Sequence, residues 1–419
     1  MTQAPPLTGY RVLELGSTVS GPFCGRLLAD FGAEVIKVEP PGGDPVRAMG
    51  EHVDGKSLYA ASILRNKRLV ALDLRLAEGQ RLVRELAAKC DVLIENFRPG
   101  TLEKWGLSYA ALSAANPGLV MARISGFGQT GPYRDRPGYG FLGDAVGGLL
   151  HINGYPDRAP VRAAVPVTDM TTGIYGAFGI VMALLSRGQS GKGQCIDVAL
   201  YESAFSLMES HVAPYQMLGK VAMRAGSRLP GSTPNNLYAV QDGYVALAAA
   251  SDSVFRRLAA VMQQPELGAD PRFATGLARV RNQDALDEII SAWTRSFTLA
   301  GLTALLQAND VPASRIFTMA DIFEDPHYAA RGTIARVADG AGEPIAMPAP
   351  VPRLSDTPGE IRHAGRSIGA DTAAVLYELV GVGADELGRL HAAGIVFDAG
   401  RPAPAQAQSR AEPPQQVAI

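Results

Sequence analysis

Continuous apolar runs of strand length alternate with segments of helical spacing along the first two hundred residues. Runs of this kind are typical of strands that are buried on both faces of a sheet. They lie at residues 10–15, 34–40, 69–74, 91–94, 119–125 and 194–200. Segments with helical spacing lie between them at residues 21–32, 77–89 and 169–186. This alternation predicts an α/β fold built on a parallel sheet.

The pattern changes near residue 220. The segment 224–236 is rich in Gly, Pro and Ser, which indicates a linker or loop. After it, Asp242 and Gly243 form the predicted turn of a strand pair, and helices are predicted at 253–262 and 282–294. We therefore expect a smaller α+β domain at residues 226–330, inserted between two parts of a larger domain. Those two parts are expected at residues 1–225 and 331–399, and the Pro- and Ala-rich tail 400–419 is expected to be disordered.

The segment 91–107 indicates a ligand-facing edge of the sheet. Its apolar run stops at Glu95, Asn96 and Phe97 and then turns into a predicted helix. Ligands of open α/β sheets gather where strands end and helices begin. The alternative is a tight strand-to-helix turn with a buried Phe97, and the sequence leaves both readings open.

Composition and charge narrow the class of protein. The chain has 419 residues, of which 47% are hydrophobic and 19% charged, and its net charge is -2. This balance argues against a protein that binds nucleic acid through a basic surface. Cys24, Cys90 and Cys195 are odd in number and lack CxxC spacing, so we expect buried, reduced thiols and no metal site.

Neither a signal peptide nor a membrane span is expected. The N-terminus lacks the basic start and apolar core of a signal peptide. The apolar stretch at 174–185 is shorter than the ~20 residues that cross a bilayer. These features predict a cytoplasmic protein without membrane partners.

Basic residues recur at the predicted rim of the sheet. A coenzyme with several phosphates needs such a set, because each phosphate requires charged donors. The alternative for any one of them is a solvated surface position. The set comprises Lys37, Arg65, Lys67, Arg68, Arg75, Arg98, Lys104, Arg123, Arg134 and Arg136.

Two readings stay open for the first loop, LGSTVSGP. It lacks GxGxxG and GxxxxGK[ST], so no nucleotide fingerprint is present. The backbone N–H groups of Thr18, Val19 and Ser20 lie between a strand end and a helix start, where they could hold a phosphate or a carbonyl. The other reading is a plain connection in which Ser20 caps the helix.

Two readings also stay open for Asp169, at the start of the longest predicted helix. Aspartate is a favoured N-cap, which gives it a structural role. A carboxylate near helix N–H groups also stays ionised, so it could attack an acyl carbonyl. GxSxG, HExxH and a Cys/His pair are absent as competing nucleophile motifs, and we interpret His151 and His211 as structural residues.

Several motifs in register resemble the family III CoA-transferases, the group of formyl-CoA and carnitine CoA-transferases. The resemblance covers residues 9–397. The motifs that carry it are GxxVxELG with SGP, ADFGAEVIKVEPPGGD, NKRLVALDL, DVLIENFRPGTLEKWGL, ISGFGQTGP, the Asp169 segment and GKGQCIDVALYES.

The resemblance implies an architecture and a site. The fold would be a Rossmann-like large domain that binds CoA and is formed by both chain ends, with a smaller α+β domain, in an interlocked homodimer. Asp169 matches the aspartate that forms an acyl anhydride and then an aspartyl-CoA thioester. The positions that match CoA-binding residues are Thr18, Val19, Ser20, Leu72, Arg75, Asn96, Phe97, Lys104, Trp105, Arg136 and Tyr139.

Two departures from the family pattern narrow the function. Formyl-CoA transferases carry a glutamine where this chain has Val19, and a run of glycines where it has LPGSTPN, so oxalate is a doubtful acceptor. The racemases of the superfamily need a GHD motif, but this chain has Gly138, Tyr139 and Gly140.

The expected activity is transfer of CoA from an acyl-CoA donor to a free carboxylic acid, without a metal or a permanently bound cofactor. Gly231 in the small domain is a candidate for supporting the oxyanion, and Arg224 or Arg228 for holding a second carboxylate. An acyl-CoA racemase or epimerase and a non-catalytic CoA-binding protein remain the alternatives.

Overall fold

The structure is a computed structural model that describes residues 3–338 and 342–399. Contacts between Cα atoms divide the chain into two compact units. Unit 1 comprises Met1–Leu149, Ala163–Ala213 and Gly332–Ile419, and unit 2 comprises Leu150–Arg162 and Pro214–Arg331. The domain limits expected from the sequence stay a prediction, and the expected tail disorder at 400–419 lies outside the described residues.

Strands occur in both units. In chain order they are β1 (Arg11–Glu14), β2 (Glu34–Glu39), β3 (His52–Val53), β4 (Lys56–Ser57), β5 (Lys67–Leu72), β6 (Val92–Glu95), β7 (Val120–Ser125), β8 (Cys195–Ala199), β9 (Asn235–Val240), β10 (Gly243–Ala248), β11 (Ala313–Arg315), β12 (Ile334–Val337), β13 (Ile345–Pro348) and β14 (Val396–Phe397).

Helices flank the strands. In chain order they are α1 (Ser20–Asp30), α2 (Leu58–Ile63), α3 (Ala77–Ala87), α4 (Thr101–Lys104), α5 (Tyr109–Ala115), α6 (Gly140–Val146), α7 (Leu149–Ile152), α8 (Val167–Ser190), α9 (Leu200–Ser206), α10 (Glu209–Leu218), α11 (Asp252–Val261), α12 (Gly276–Arg281), α13 (Gln283–Thr294), α14 (Leu299–Ala308), α15 (Met319–Glu324), α16 (Pro326–Ala330), α17 (Thr372–Val375) and α18 (Ala384–Ala392).

Unit 1 is built on a seven-stranded sheet with the order β14-β5-β2-β1-β6-β7-β8. Its neighbouring strands are parallel except for β14, which runs antiparallel to β5. The six parallel strands have the 3-2-1-4-5-6 order of the Rossmann fold. The predicted α/β class is thus confirmed, with an antiparallel strand at one edge that makes the sheet mixed.

The sheet is buried on both faces because successive strand residues point to opposite sides. Leu13 packs in one core with Leu82 and Leu86 of α3. Its neighbour Val12 packs in a second core with Leu28 of α1 and Ile180 of α8. Because side chains on both faces of the sheet are buried, the strands are apolar runs without alternating polar residues.

Helix α8 is longer than the sequence predicted. Its 24 residues begin after Pro166 and end at a left-handed Gly191. By length and composition alone it could cross a bilayer, with 39% of its apolar window buried, so the expectation that this stretch is too short was wrong. Within unit 1 it packs closely along α1, where a Cβ on Gly173 would lie 2.8 Å from the Phe23 ring.

Unit 2 contains a three-stranded antiparallel sheet with the order β11-β10-β9. The predicted strand pair is present, with Gly243 opposite Val240 at its turn. Tyr238 and Val245 pack in one core with Phe255 of α11 and Ile290 of α13. The two helices predicted in this region correspond to α11 and α13.

Candidate active site

The order of the sheet places a crevice between the loops that follow β1 and β6. The chain continues from β1 toward β2 on one side, whereas β6 leads to β7 on the other. In open α/β sheets, such a point of divergence is where ligands bind. The two loops, residues 16–19 and 96–100, are those that the sequence marked as candidates.

Asn96 ties these two loops together. Its side-chain oxygen accepts the Ser17 N–H at 2.7 Å, and its amide donates to the Ser17 carbonyl at 2.9 Å. The side chain is fully buried. The Asn96 side chain therefore shapes the first loop, and the contact between Asn96 and CoA that the resemblance implies stays a prediction.

The first loop differs from the expectation at two residues. The Thr18 N–H donates to Asp44 Oδ1 at 2.9 Å, so it is not directed at a ligand. Ser20 is the first helical residue and not the cap, because Val19 occupies the N-cap position of α1. The N–H groups of Val19 and Ser20 still belong to a helix start, where no carbonyl of the helix can accept them.

Three of the predicted rim cations are interior residues. Lys37, Arg65 and Lys67 are at most 1% exposed, so they are neither solvated nor available to a phosphate. Lys67 lies 2.7 Å from Glu14, and Arg65 lies 2.6 Å from Asp30. Buried cations of this kind persist because each is paired with a carboxylate.

Most of the remaining rim cations are also engaged. Arg68 pairs with Glu34 and Glu378, Arg75 with Asp73, Arg123 with Glu95 and Glu103, and Arg134 with Asp135. The guanidinium of Arg136 instead lies 3.5 Å from the centre of the Tyr133 ring. Stacking leaves the edge of a guanidinium able to donate hydrogen bonds.

A small cavity gathers residues from the ends of β6 and β7. It is lined by Phe97, Arg98, Pro99, Ser125, Gly126, Arg136 and Gly138. Gly126 and Gly138 touch through their backbones, since a Cβ on Gly126 would lie 2.7 Å from the Gly138 Cα. This contact holds the segment before α6 against the end of the sheet and brings Arg136 to Phe97.

Asp169 lies next to the same segment. It is the third residue of α8, whose N-cap is Pro166, so the reading of Asp169 as an N-cap was wrong. A Cβ on Gly140 would overlap its carboxylate, so a larger residue at position 140 would force the Asp169 side chain to move. An acidic residue in the first helical turn is favoured by the helix dipole.

The packing of α8 on α1 aligns Asp169 with the first loop. A Cβ on Gly173 would lie 3.0 Å from the Ser20 carbonyl and 3.2 Å from the Cys24 nitrogen. Asp169 is one turn before Gly173, at the end of the helix pair where α1 begins. A partly buried carboxylate and the N–H groups of a helix start thus share one edge of the sheet, which is an arrangement suited to acyl chemistry.

Tyr59 is a residue of this region that the sequence did not single out. Burial raises the pKa of the Tyr59 phenol, and the charge of Asp169 raises it further, whereas Arg26 lowers it. Its hydroxyl is buried and has no hydrogen-bond partner in the described part of the chain. Its ring packs against the same hydrophobic cluster as Met49 and Met170, and no local sequence pattern indicates this.

The other predicted CoA-binding residues differ in accessibility. The Leu72 side chain is fully buried in the core of the sheet, so only its backbone could line a ligand site, and its expected place in the CoA site stays a prediction. Phe97 and Trp105 pack edge to face with their ring centres 5.2 Å apart. Lys104 and Tyr139 are exposed.

The three cysteines differ in their exposure to solvent. Cys24 and Cys90 are buried, but Cys195 is exposed, so the expectation of three buried thiols was wrong for Cys195. It begins β8 at the edge of the sheet. Within residues 3–338 and 342–399, no group of three or more His, Cys, Asp or Glu side chains is placed to hold a metal ion.

Unit 2 contains the two arginines considered for a second carboxylate. Arg228 is paired with Asp284 and Asp287, both at 2.7 Å, so its charge is already balanced. Arg224 donates to the carbonyls of Tyr155 and His151. Gly231, in the loop of unit 2 that precedes β9, has a φ of 83°. Its suggested support of an oxyanion stays a prediction.

Comparisons with known proteins agree with one another. A protein-family model described as CoA-transferase family III matches residues 7–372. The chain is 46% identical to a succinyl-CoA–D-citramalate CoA-transferase of Chloroflexus aurantiacus, over 93% of this chain and 98% of that relative. It is 38% identical to a succinate–glutarate CoA-transferase of Agrobacterium fabrum, over 90% and 96%.

A solved structure gives the same result for the fold. A CAIB/BAIF family protein from Brucella suis superposes with a TM-score of 0.78 and 38% identity, covering 90% of this chain and all of that one.

Proposed function

The chain belongs to CoA-transferase family III, and we propose that it moves CoA from an acyl-CoA donor to a free carboxylic acid through covalent intermediates on Asp169. That the protein is a CoA-transferase enzyme follows from relatives up to 46% identical over nearly their whole length. Beyond this family activity, we propose the residue that carries the acyl group and the acids that are exchanged.

One observation carries the assignment to Asp169. Its carboxylate lies directly against the backbone of Gly140, at the end of α8 that packs beside the start of α1. On the side of Gly140 the carboxylate therefore meets backbone, because glycine has no side chain there. This supports Asp169 as a nucleophile, because a planar acyl group needs room beside the attacking oxygen.

The proposed cycle exchanges the acids in four steps. An Asp169 oxygen attacks the donor thioester carbonyl, and the tetrahedral intermediate expels CoA as a thiolate, which leaves a mixed anhydride between Asp169 and the donor acid. The thiolate attacks the Asp169 carbonyl and forms an aspartyl-CoA thioester, which releases the donor acid as a carboxylate. The acceptor carboxylate then attacks that thioester, and the thiolate finally attacks the acceptor carbonyl and frees Asp169.

No net proton or electron transfer is needed in this cycle. A thioester and a carboxylate enter, and another thioester and carboxylate leave. What catalysis requires is stabilisation of each tetrahedral oxyanion. We propose the N–H groups of Val19 and Ser20 and the buried Tyr59 hydroxyl for this role, since the start of α1 packs beside α8 and the charge of Asp169 acts on the Tyr59 phenol.

The CoA site is proposed along the ends of β1, β6 and β7. Phe97 and Trp105 offer an aromatic pair for the pantetheine, and Arg136 and Lys104 offer charge for the phosphates. Arg75 and Tyr139 remain proposed contacts from the family pattern. CoA is a substrate in this scheme, and no resident cofactor is proposed.

We propose succinyl-CoA as the donor and a dicarboxylate such as D-citramalate as the acceptor. The support is the name of the relative with 46% identity, together with relatives named for L-malate and glutarate. A homodimer in the cytoplasm, with the small domain at 226–330, completes the proposal.

The test is a trapping experiment with one substitution. After incubation with succinyl-CoA and hydroxylamine, mass spectrometry of the wild type should find a modified Asp169 peptide. Asp169→Ala should lower turnover at least ~1,000-fold, because the nucleophile is removed, and should leave no adduct. Asp157→Ala, at an exposed carboxylate, serves as the control.

Three results would contradict the proposal. If Asp169→Ala retained turnover, Asp169 would not be the nucleophile. Solvent deuterium entering the α-carbon without any acceptor would indicate a racemase. A panel of D-citramalate, L-malate, glutarate and oxalate that yields no dicarboxylate CoA product from succinyl-CoA would reject the proposed substrates.

A further inference from the structure

Thr18 has a backbone conformation that its side chain disfavours. Its φ is 69°, in the left-handed region. Glycine adopts this region readily, but a β-branched residue does so only when its surroundings hold it there. The loop that Thr18 belongs to also contains Val19 and leads into the first turn of α1.

A buried carboxylate from another part of the chain holds Thr18 in this conformation. Asp44 Oδ1 accepts the N–H groups of Thr18 and Val46, each at 2.9 Å. Its other oxygen lies 2.8 Å from Lys37 Nζ, and the same ammonium donates to the Gly16 carbonyl. The Asp44–Lys37 pair thus binds the first loop on both sides of Ser17, at Thr18 through Asp44 and at Gly16 through Lys37.

The charge of this pair is maintained in the interior. Burial alone would raise the pKa of Asp44, but the Lys37 ammonium and the two backbone donors lower it below its ordinary value. Glu14 lies 3.6 Å from Lys37 and adds a second negative charge. A charged hydrogen-bond acceptor is stronger than a neutral one, which suits the task of holding a strained residue.

We propose that Asp44 is a positioning residue for the acylation step, which orients the first loop so that the Val19 and Ser20 N–H groups face the acyl carbonyl at Asp169. This inference rests on the proposed function. Asp44 acts through the loop and not on the substrate, because its side chain is only 2% exposed. Asn96 and Lys37 fix Ser17 and Gly16, whereas Asp44 alone among these three holds Thr18.

The experiment measures single-turnover acylation of Asp169 by succinyl-CoA, using rapid quenching and mass spectrometry. Asp44→Ala is expected to lower the rate constant about 100-fold, since a small misplacement of contacts to the reacting group has an effect of that size. The amplitude, counted per total protein, should stay near that of the wild type. Partial unfolding would instead reduce the amplitude and leave the rate constant unchanged.

Asp30→Ala is the matched control. Asp30 is also a buried carboxylate with a cationic partner, Arg65, and it lies at the opposite end of α1. Its loss should lower stability without changing the acylation rate constant. Equal rate constants for wild type and Asp44→Ala would overturn the inference, whereas a wild type that forms no adduct would overturn the proposed function instead.

Asp44→Asn keeps the test decisive if the alanine variant does not fold. Asparagine retains an oxygen for the Thr18 N–H but loses the charge that pairs with Lys37. We expect a rate constant between those of wild type and the alanine variant, with reduced hydrogen-exchange protection at the Thr18 amide, because a neutral acceptor is weaker than a charged one. A wild-type rate constant with an unprotected Thr18 amide would contradict the inference.

Discussion

Gly140 limits the space around the Asp169 carboxylate. In Gly140→Ala the new methyl group would overlap the Asp169 carboxylate and force it to rotate or shift. We expect acylation of Asp169 to slow about 100-fold, because the attacking oxygen loses its orientation. Single-turnover kinetics with succinyl-CoA measures the effect.

Gly188→Ala is the control for that substitution. Gly188 lies in the same helix as Asp169, and a Cβ there meets no atom within 4 Å. The change should leave acylation unaltered and stabilise α8 by about 0.5–1 kcal/mol, since alanine favours a helix interior. Similar kinetics in both variants would show that Gly140 does not constrain the nucleophile.

Glu95 gives the stability of the protein a dependence on pH near neutrality. Burial raises its pKa to about 7, although Arg123 at 2.7 Å lowers it. With an ordinary pKa of 4.5 in the unfolded chain, its contribution is fully present below pH 4.5 and is lost as the pH rises through 7. Relative to Glu95→Gln, the wild type should therefore lose up to ~3 kcal/mol of unfolding free energy between pH 4.5 and 8.

Urea unfolding of both proteins at several pH values within that range measures the difference. The glutamine variant is the matched control, because it keeps the shape of Glu95 and cannot ionise. Parallel stability curves for the two proteins would mean that Glu95 is ionised throughout and that its ion pair with Arg123 offsets the burial.

At the scale of elements, the strands were predictable and the anchors of the first loop were not. The six parallel strands are continuous apolar runs, so local sequence was sufficient to find them. The anchors Asn96, Asp44 and Lys37 lie 79, 26 and 21 residues from the loop positions that they hold. A signal was present in the charged Glu14 and Lys37 within apolar strands, since a buried charge requires a partner.

Helix α8 shows a second limit of local pattern. The predicted range 169–186 was extended at both ends, to Val167 and Ser190. Pro166 before the helix and Gly191 after it were the signals that place its ends. The two residues added at the start matter for chemistry, because they move Asp169 from the cap into the first turn.

At the scale of the whole molecule, α8 has an apolar stripe that unit 1 does not cover. Ile174, Phe178, Met182 and Leu185 lie at helical spacing and are 51%, 59%, 43% and 61% exposed. Exposed apolar stripes of this kind mark an interaction surface. Two relatives, 40% and 42% identical to this chain, are named as the alpha and beta subunits of a succinyl-CoA–L-malate CoA-transferase of Chloroflexus aurantiacus. In the homodimer proposed above, a second copy of this chain would cover the stripe.

Phe178→Glu tests this proposal. A charge in the middle of the stripe should separate the subunits, because burying an unpaired carboxylate is costly. Sedimentation velocity of the wild type should give close to twice the chain mass of 44.1 kDa, and that of the variant close to the chain mass itself. Phe178→Met is the control, since it keeps the stripe apolar and should remain dimeric.

A wild type that sediments as a single chain would reject the homodimer, and one that floats with lipid vesicles would assign the stripe to a membrane.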